Sequence, residues 1–480
     1  MKKTIIARTL LGVLSGGVLL SALPLSVAVA AEPLLEANII EAETKVIEVG
    51  TKVIEANSAD LRAKDANFAS VSFGKWLPEL VEQFNRLPEV QSQLVRQQQA
   101  ELAIQAADRA VYNPELGLNY QNADTDSYSV GLSQTLDWGD KRGVATRRAQ
   151  LEAQMLLADI GLERGQMFAE LLLALAEQAQ ASKALTFADQ QLRFTKAQLN
   201  IAEQRLAAGD LSDVELQLMQ LELASNSADY ALAEQAALVA DGKVIELLGN
   251  DQFAFSEFIG SIEGAFTQFS KSSGIEPRLP ALTLAYQQVL LARANAMQVK
   301  ADTVADPTIS IAAEKEGTDN KLGIGVSVPL QVRNNYSELQ AIAEKDTAIA
   351  EQQYLARERV LTAKQKQVEH ALPRLLARYQ DWRELVQISG AKAAKSLSQQ
   401  WQAGDISTSD YLQSRRQLAA SYLVGINLET AIYQTWLTWM GESGQLMPFV
   451  EQIVSSPSAF KQANAAPSIT PNAAAGTANE

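Results

Sequence analysis

Ser127-Tyr128-Ser129-Val130-Gly131-Leu132-Ser133 is the stretch on which the reading of this chain turns. Large apolar residues alternate with Ser and Gly, the period of a β-strand with one apolar and one small polar face. Three more segments share it: Glu115-Leu116-Gly117-Leu118-Asn119-Tyr120-Gln121, Thr308-Ile309-Ser310-Ile311 and Lys321-Leu322-Gly323-Ile324-Gly325-Val326-Ser327-Val328. The polar turns Asn122–Asp126 and Glu316–Asn320 pair them into hairpins. A strand in a soluble sandwich alternates in the same way, so the pattern alone leaves two readings. Two arguments favour a membrane barrel. Large apolar residues outside and small polar ones inside, in segments of about ten residues, mark membrane barrel strands. Two hairpins about 190 residues apart are also too little sheet for an independent soluble core. Four strands cannot close a barrel, which needs at least about 8, and lipid does not tolerate an open edge. Several chains must then pool their strands; two would reach about 8 and three about 12.

The strands lie within a tandem duplication. Arg86-Leu87-Pro88 recurs as Arg278-Leu279-Pro280, Asn113-Pro114 as Asp306-Pro307, and Val130-Gly131-Leu132-Ser133 as Ile324-Gly325-Val326-Ser327. Ala208-Gly209-Asp210-Leu211-Ser212 recurs as Ala403-Gly404-Asp405-Ile406-Ser407. The order is kept and the offset barely changes. The predicted organisation is a signal peptide over 1–30, an N-terminal segment over 31–85, a first repeat over 86–250, a linker over 251–277, a second repeat over 278–443 and a partly disordered tail over 444–480. Within each repeat an Ala-rich helical stretch, such as Gln91 to Ala110, precedes the strands and a very long helix follows them. Lys141 to Ala207 holds no proline and is rich in Ala, Leu, Gln, Glu and Arg. Its length would span roughly 100 Å at 1.5 Å per residue, as in a coiled coil or helical array. Its counterpart, Asn334 to Ala403, contains Pro373, which predicts a kink or break. Gly209 and Gly404 read as C-cap glycines, and the residues after them supply N-caps for a returning helix. Each repeat is thus a strand hairpin plus a long antiparallel helical hairpin. The helices alone would equally suit a soluble coiled-coil rod.

Composition narrows the function. The 480-residue chain has no cysteine and one histidine, His370, which excludes disulfides, a thiolate zinc site and a Cys nucleophile and leaves no basis for a His triad. No enzyme constellation, cofactor site or metal site is visible. A net charge of −15 argues against nucleic-acid binding. Lys2, Lys3 and Arg8 before an apolar stretch, with Ala28-Val29-Ala30 after it, read as a cleaved secretory signal. Its removal takes the −15 to about −18. No later run of about 18 apolar residues forms a membrane helix.

Taken together these features resemble the TolC-type outer-membrane efflux proteins, over nearly the whole mature chain, from about Leu77 to Val454. The resemblance is carried by the duplicated helix and strand units, Asn113-Pro114-Glu115-Leu116, the two Val-Gly-Leu-Ser-type strands and the Ala-Gly-Asp tips. Asp137-Trp138-Gly139-Asp140-Lys141-Arg142 is similar to the Gly-Gly-Lys-Arg motif of the CzcC-like, heavy-metal branch. The resemblance implies a mainly α fold with a small β part. Three copies would pool their strands into a 12-stranded barrel in outer-membrane lipid of a Gram-negative bacterium, with a periplasmic helical barrel below it. It also implies a periplasmic adaptor and an inner-membrane pump, often of the resistance-nodulation-division type, docking at the helix tips. On this reading the chain passively exports substrates, and the branch motif points to heavy-metal cations among them. A drug or type I protein secretion duct of the same family, or a periplasmic adaptor or coiled-coil scaffold, are the alternatives.

The resemblance places the pore gate at Asp410, with Asp405 an extra acid at the tip; a second family acid falls on Gln413 and is missing. Carboxylate rings favour cations, but Asp beside a helix start is commonly a cap, and capping is expected of Asp405. Gly209, Asp210, Leu211, Gly404 and Ile406 are the candidate adaptor contacts. Residues 32–72, with the local repeat Thr44-Lys45-Val46-Ile47-Glu48 and Thr51-Lys52-Val53-Ile54-Glu55, depart from the family pattern.

Overall fold

The computed structural model describes residues 73–122, 124–249, 259, 262 and 279–455. The expected signal peptide, residues 32–72, almost all of the linker and residues 456–480 of the expected tail lie outside them, whereas residues 444–455 of that tail are ordered and include a helix.

Two helices, α1 (Phe73–Asn85) and α2 (Pro88–Ala107), lead into strands β1 (Glu115–Gln121) and β2 (Ser127–Thr135). The first long hairpin follows as α3 (Lys141–Ala208) and α4 (Asp213–Leu248). The second repeat runs α5 (Pro280–Asp302), β3 (Thr308–Glu316), β4 (Asp319–Ser327) and α6 (Ser337–Trp382). A π-helical turn, Arg383–Gln387, joins α6 to α7 (Ile388–Gln402); α8 (Thr408–Ser443) returns and α9 (Leu446–Ser455) follows. Pro88 and Pro280 open α2 and α5, where a missing N–H costs nothing. The 68 residues of α3 correspond to about 100 Å.

All four strands form one antiparallel sheet in the order β1-β2-β3-β4. The repeats therefore join through β2 and β3, with Leu132 opposite Ile311 and Gly131 opposite Ala312. The second turn is tighter than Glu316–Asn320, because both strands extend and leave Gly317 and Thr318 between them, Gly317 at φ 58°.

The core sits where α1, α9 and the middle of the long helices meet, around Leu77, Phe84, Phe168, Leu175, Leu372 and Trp436. The sequence pattern did not single out α1, yet it buries Leu77, Leu80 and Phe84 almost completely, each contributing roughly 1.5–3 kcal/mol. Phe84 and Phe168 meet edge to face at 5.0 Å. Trp436 and Trp439 are also buried there.

The expected break at Pro373 is not where the helix changes. α6 runs through Pro373, and the irregular turn comes ten residues later, at Arg383–Gln387. Just before it, the indole of Trp382 rests on Gly425 of α8, where a Cβ would lie 2.0 Å from the ring. Its Nε1–H donates to the Ser421 carbonyl at 2.7 Å. The π-helical turn begins at the residue after this contact.

Candidate functional site

The sheet sorts its side chains by face. Across the four strands, Leu116, Leu132, Ile311 and Ile324 form one row and Leu118, Val130, Ala313 and Leu322 the next. These residues are not covered: Leu118, Leu322 and Ile324 are 76–77% exposed. A contiguous exposed apolar face of this kind marks an interaction with protein or lipid. The opposite face carries Gly, Ser and Asn, with a row Gly117, Gly131, Ala312 and Gly323, and becomes charged toward the turns, where Glu314, Glu316, Asp319 and Lys321 lie. Nine residues of β2 extend about 30 Å. Tilted by about 40°, they match the apolar band of about 25 Å on membrane barrels. β1 and β4 each have one unpaired edge. Every helical connection leaves the sheet at one end, and both tight turns lie at the other.

The junction of strands and helices is pinned by a buried ion pair between the repeats. Lys141, at the start of α3, donates to Asp306 Oδ2 at 2.6 Å, and the side chains are 13% and 4% exposed. The Tyr112 hydroxyl also donates to Oδ2 at 2.6 Å, and the Trp138 N–H donates to Oδ1 at 3.1 Å. Burial works against ionising Asp306, but the bonds from Lys141, Tyr112 and Trp138 outweigh it and lower its pKa. Burial likewise works against the Lys141 charge, and Asp306 and Tyr112 outweigh it and raise its pKa. Asp137 accepts from the Lys141 and Arg142 N–H groups, both at 2.8 Å, and so caps α3. Nothing in the sequence spacing singled out Lys141 with Asp306.

The two helix tips lie together. Gly209 and Gly404 have φ 84° and 81°, as a left-handed C-cap requires. Ser212 and Glu215 form a capping box that starts α4. Hydrogen bonds from the Ser212 N–H and hydroxyl are the main causes that lower the Glu215 pKa. In the second tip the cap is Ser407, which accepts from the Asp410 N–H at 3.1 Å and donates to its Oδ2 at 2.7 Å. The cap expected of Asp405 is therefore made by Ser407, assisted by Asp410. Both Asp405 and Asp410 are exposed, as are Gly209, Asp210 and Gly404. Leu211 is 7% exposed and packs in a tip core with Met219, Trp401, Tyr411 and Leu412, with Ile406 half-buried against it. Burial pushes the Tyr411 pKa up to about 12.

Polar contacts fasten this core. The Arg205 guanidinium lies 5.4 Å from the Trp401 ring and donates to the Trp401 carbonyl at 2.8 Å. Trp401 Nε1–H donates to the Thr408 hydroxyl, which donates to Glu215 Oε1 at 2.9 Å. Arg416 pairs with the buried Glu222 at 2.6 Å. Further along the same seam, Lys183 of the first repeat pairs with the buried Glu429 of the second at 2.8 Å. No group of His, Cys, Asp or Glu among the described residues could hold a metal, and His370 is exposed.

A duplicated helix and strand unit with a shared four-stranded sheet and paired helical hairpins is the fold of known outer-membrane channels. The outer-membrane channel OprN has a TM-score of 0.63 at 15% identity, over 78% of this chain and 92% of that one. The outer membrane protein VceC from Vibrio cholerae has a TM-score of 0.62 at 16% identity, over 78% and 98%. The Campylobacter jejuni CmeC outer membrane channel has a TM-score of 0.63 at 12% identity, over 77% and 86%. No protein-family model and no curated protein sequence matches the chain.

Proposed function

We propose that this chain is a TolC-type outer-membrane exit channel of a tripartite efflux system. Three copies pool their strands into a 12-stranded barrel, and their helices form a periplasmic tunnel. The observation that carries this reading is the sheet, with one exposed apolar face, one face of small, polar and charged residues and two open edges. In lipid, such edges are satisfied only by pairing with other copies. The neighbouring folds support the reading, and the chain needs no chemistry of its own because the energy comes from the pump.

The tips are the proposed gate and docking end. Asp405 and Asp410 present exposed carboxylates that would line a cation-favouring constriction. Gly209, Asp210 and Gly404 present exposed backbone and side chain to a periplasmic adaptor, while Leu211 and Ile406 support them from within. An inner-membrane pump, of the resistance-nodulation-division type, completes the system. The overall acidity of the chain favours cations, heavy-metal ions among them, as cargo. Lys141 of the branch motif already has a packing role with Asp306, so that motif adds little to the choice of cargo.

Planar-bilayer recording of the purified protein tests the proposal. Discrete cation-preferring conductance is expected, with Asp410→Ala widening it or weakening the preference. Unchanged conductance and preference in Asp410→Ala would remove Asp410 from the gate. Absence of any conductance, with the protein in the soluble periplasmic fraction, would favour a scaffold instead.

A further inference from the structure

The outward rows of the sheet differ in kind. The two rows of Leu, Val, Ile and Ala are apolar, but the row nearest the turns reads Tyr120, Tyr128, Lys315 and Asn320. The rings of Tyr120 and Tyr128 are 5.0 Å apart and both side chains are more than half exposed. Lys315 is the one charged strand residue on that face. It is exposed and makes no ion pair or hydrogen bond among the described residues. Lys321, on the opposite face, is paired with Glu316.

A bare ammonium beside an apolar membrane face is costly unless it reaches the interface and an anion. Its place at the turn end of the sheet, away from every helical connection, sets that interface on the outer side. Paired tyrosines at one level are the kind of aromatic belt found where chains meet headgroups. We propose that Lys315, with Tyr120, Tyr128 and Asn320, binds the phosphate of a phosphorylated lipid in the outer leaflet, whose acyl chains cover the apolar rows below. The ammonium pairs with the phosphate, and the tyrosine hydroxyls and the Asn320 amide supply further donors. This inference rests on the channel reading, which turns the apolar face toward lipid.

The test uses the full-length protein in nanodiscs and two probes, bisphosphorylated lipid A and the same lipid without phosphates. Native mass spectrometry reads the lipid retained by the wild type and by Lys315→Gln, Lys315→Arg and Lys321→Gln. The wild type is expected to prefer the phosphorylated lipid by about fivefold per chain, the effect of one cation at a lipid surface. Lys315→Arg and Lys321→Gln should keep that preference, and Lys315→Gln should lose it. Equal retention of both lipids by the wild type, an unchanged preference in Lys315→Gln, or displacement of the lipid by inorganic phosphate would each overturn the inference. Should Lys315→Gln fail to fold, the two-lipid comparison on the wild type still decides. Fractionation separates the two claims. A wild type in the outer membrane without phosphate preference defeats only the lipid site, whereas a soluble wild type defeats the channel reading as well.

Discussion

Replacing Lys141 by Met should destabilise the chain and reverse the pH dependence that the Asp306 pair confers. The substitution keeps an apolar stem of similar length and deletes the ammonium that sits 2.6 Å from Asp306 Oδ2. Asp306 is 4% exposed, so its carboxylate cannot turn to water. Removing one partner of a buried pair costs about 3–5 kcal/mol. The Tyr112 hydroxyl and the Trp138 N–H remain as donors to Asp306, which places the expected loss near the low end, about 3 kcal/mol. In the wild type Asp306 titrates below its ordinary range and Lys141 above its own. The carboxylate's contribution is present above the unfolded Asp value of about 3.9 and is lost as pH falls through its depressed folded value. The ammonium's contribution is present below about 10.4 and is lost as pH rises through its raised folded value. The pair is thus at full strength across neutral pH. In Lys141→Met, desolvation acts on Asp306 without its cation, so its folded pKa moves up and stability falls as pH rises. Thermal melting of the detergent-solubilised protein, followed by helical circular dichroism at about pH 5 and pH 8, reads both effects. Lys141→Met should melt earlier than wild type at both pH values, with the larger deficit at the higher. The double variant Lys141→Met/Asp306→Leu should recover most of the loss, because an apolar pair leaves no buried charge. A single variant as stable as wild type, or one with a flat pH response, would refute the reasoning.

Three further outcomes follow from the same geometry. Glu222→Ala deletes the buried carboxylate that holds Arg416 across the tips; Arg416 is 62% exposed and returns to water. Folding should change little while single-channel conductance in bilayers rises, and unaltered conductance would show that this pair does not restrain the tips. Gly425→Ala drives a methyl into the Trp382 ring; the overpacking should cost about 1–3 kcal/mol, with a red shift of tryptophan emission as the indole leaves its seat. Gly404→Ala places a Cβ at φ 81° and should lower stability by about 1–2 kcal/mol. Gly390→Ala, within α7 with only ordinary contact to Val386, should be neutral or stabilising by up to about 1 kcal/mol; equal melting shifts for the two glycines would contradict the cap.

The parts of the fold legible in sequence are those whose physics is local. The alternation of Leu116, Leu118 and Tyr120 with Gly117 and Asn119 needs no partner to be seen, and neither do the left-handed glycines at 209 and 404. The duplication placed these features in register, so the hairpin tips were placed from the chain alone. The misses are contacts between residues far apart in sequence. Lys141 and Asp306, or Arg205 and Trp401, carry no mark of each other until the repeats are brought together. Pro373 drew attention as the helix breaker, yet the change of helix type lies beside Trp382, which meets Gly425 on another helix. Leu211 was read as an adaptor contact from its place in the tip motif, and the packing of Met219 and Trp401 around it is visible only in the structure. Asp410 carried both a gate and a cap reading in sequence; its bonds to Ser407 supply the cap geometry, and its exposure leaves the carboxylate able to serve a pore.

The open edges of β1 and β4 make the number of pooled chains the point on which the account depends. Native mass spectrometry of the protein extracted from outer membranes in mild detergent counts those chains directly. An assembly of three copies of the processed form of the 52.0 kDa chain is expected, converting to single chains on heating. A single copy or a pair, or a protein recovered only from the soluble periplasmic fraction, would contradict it.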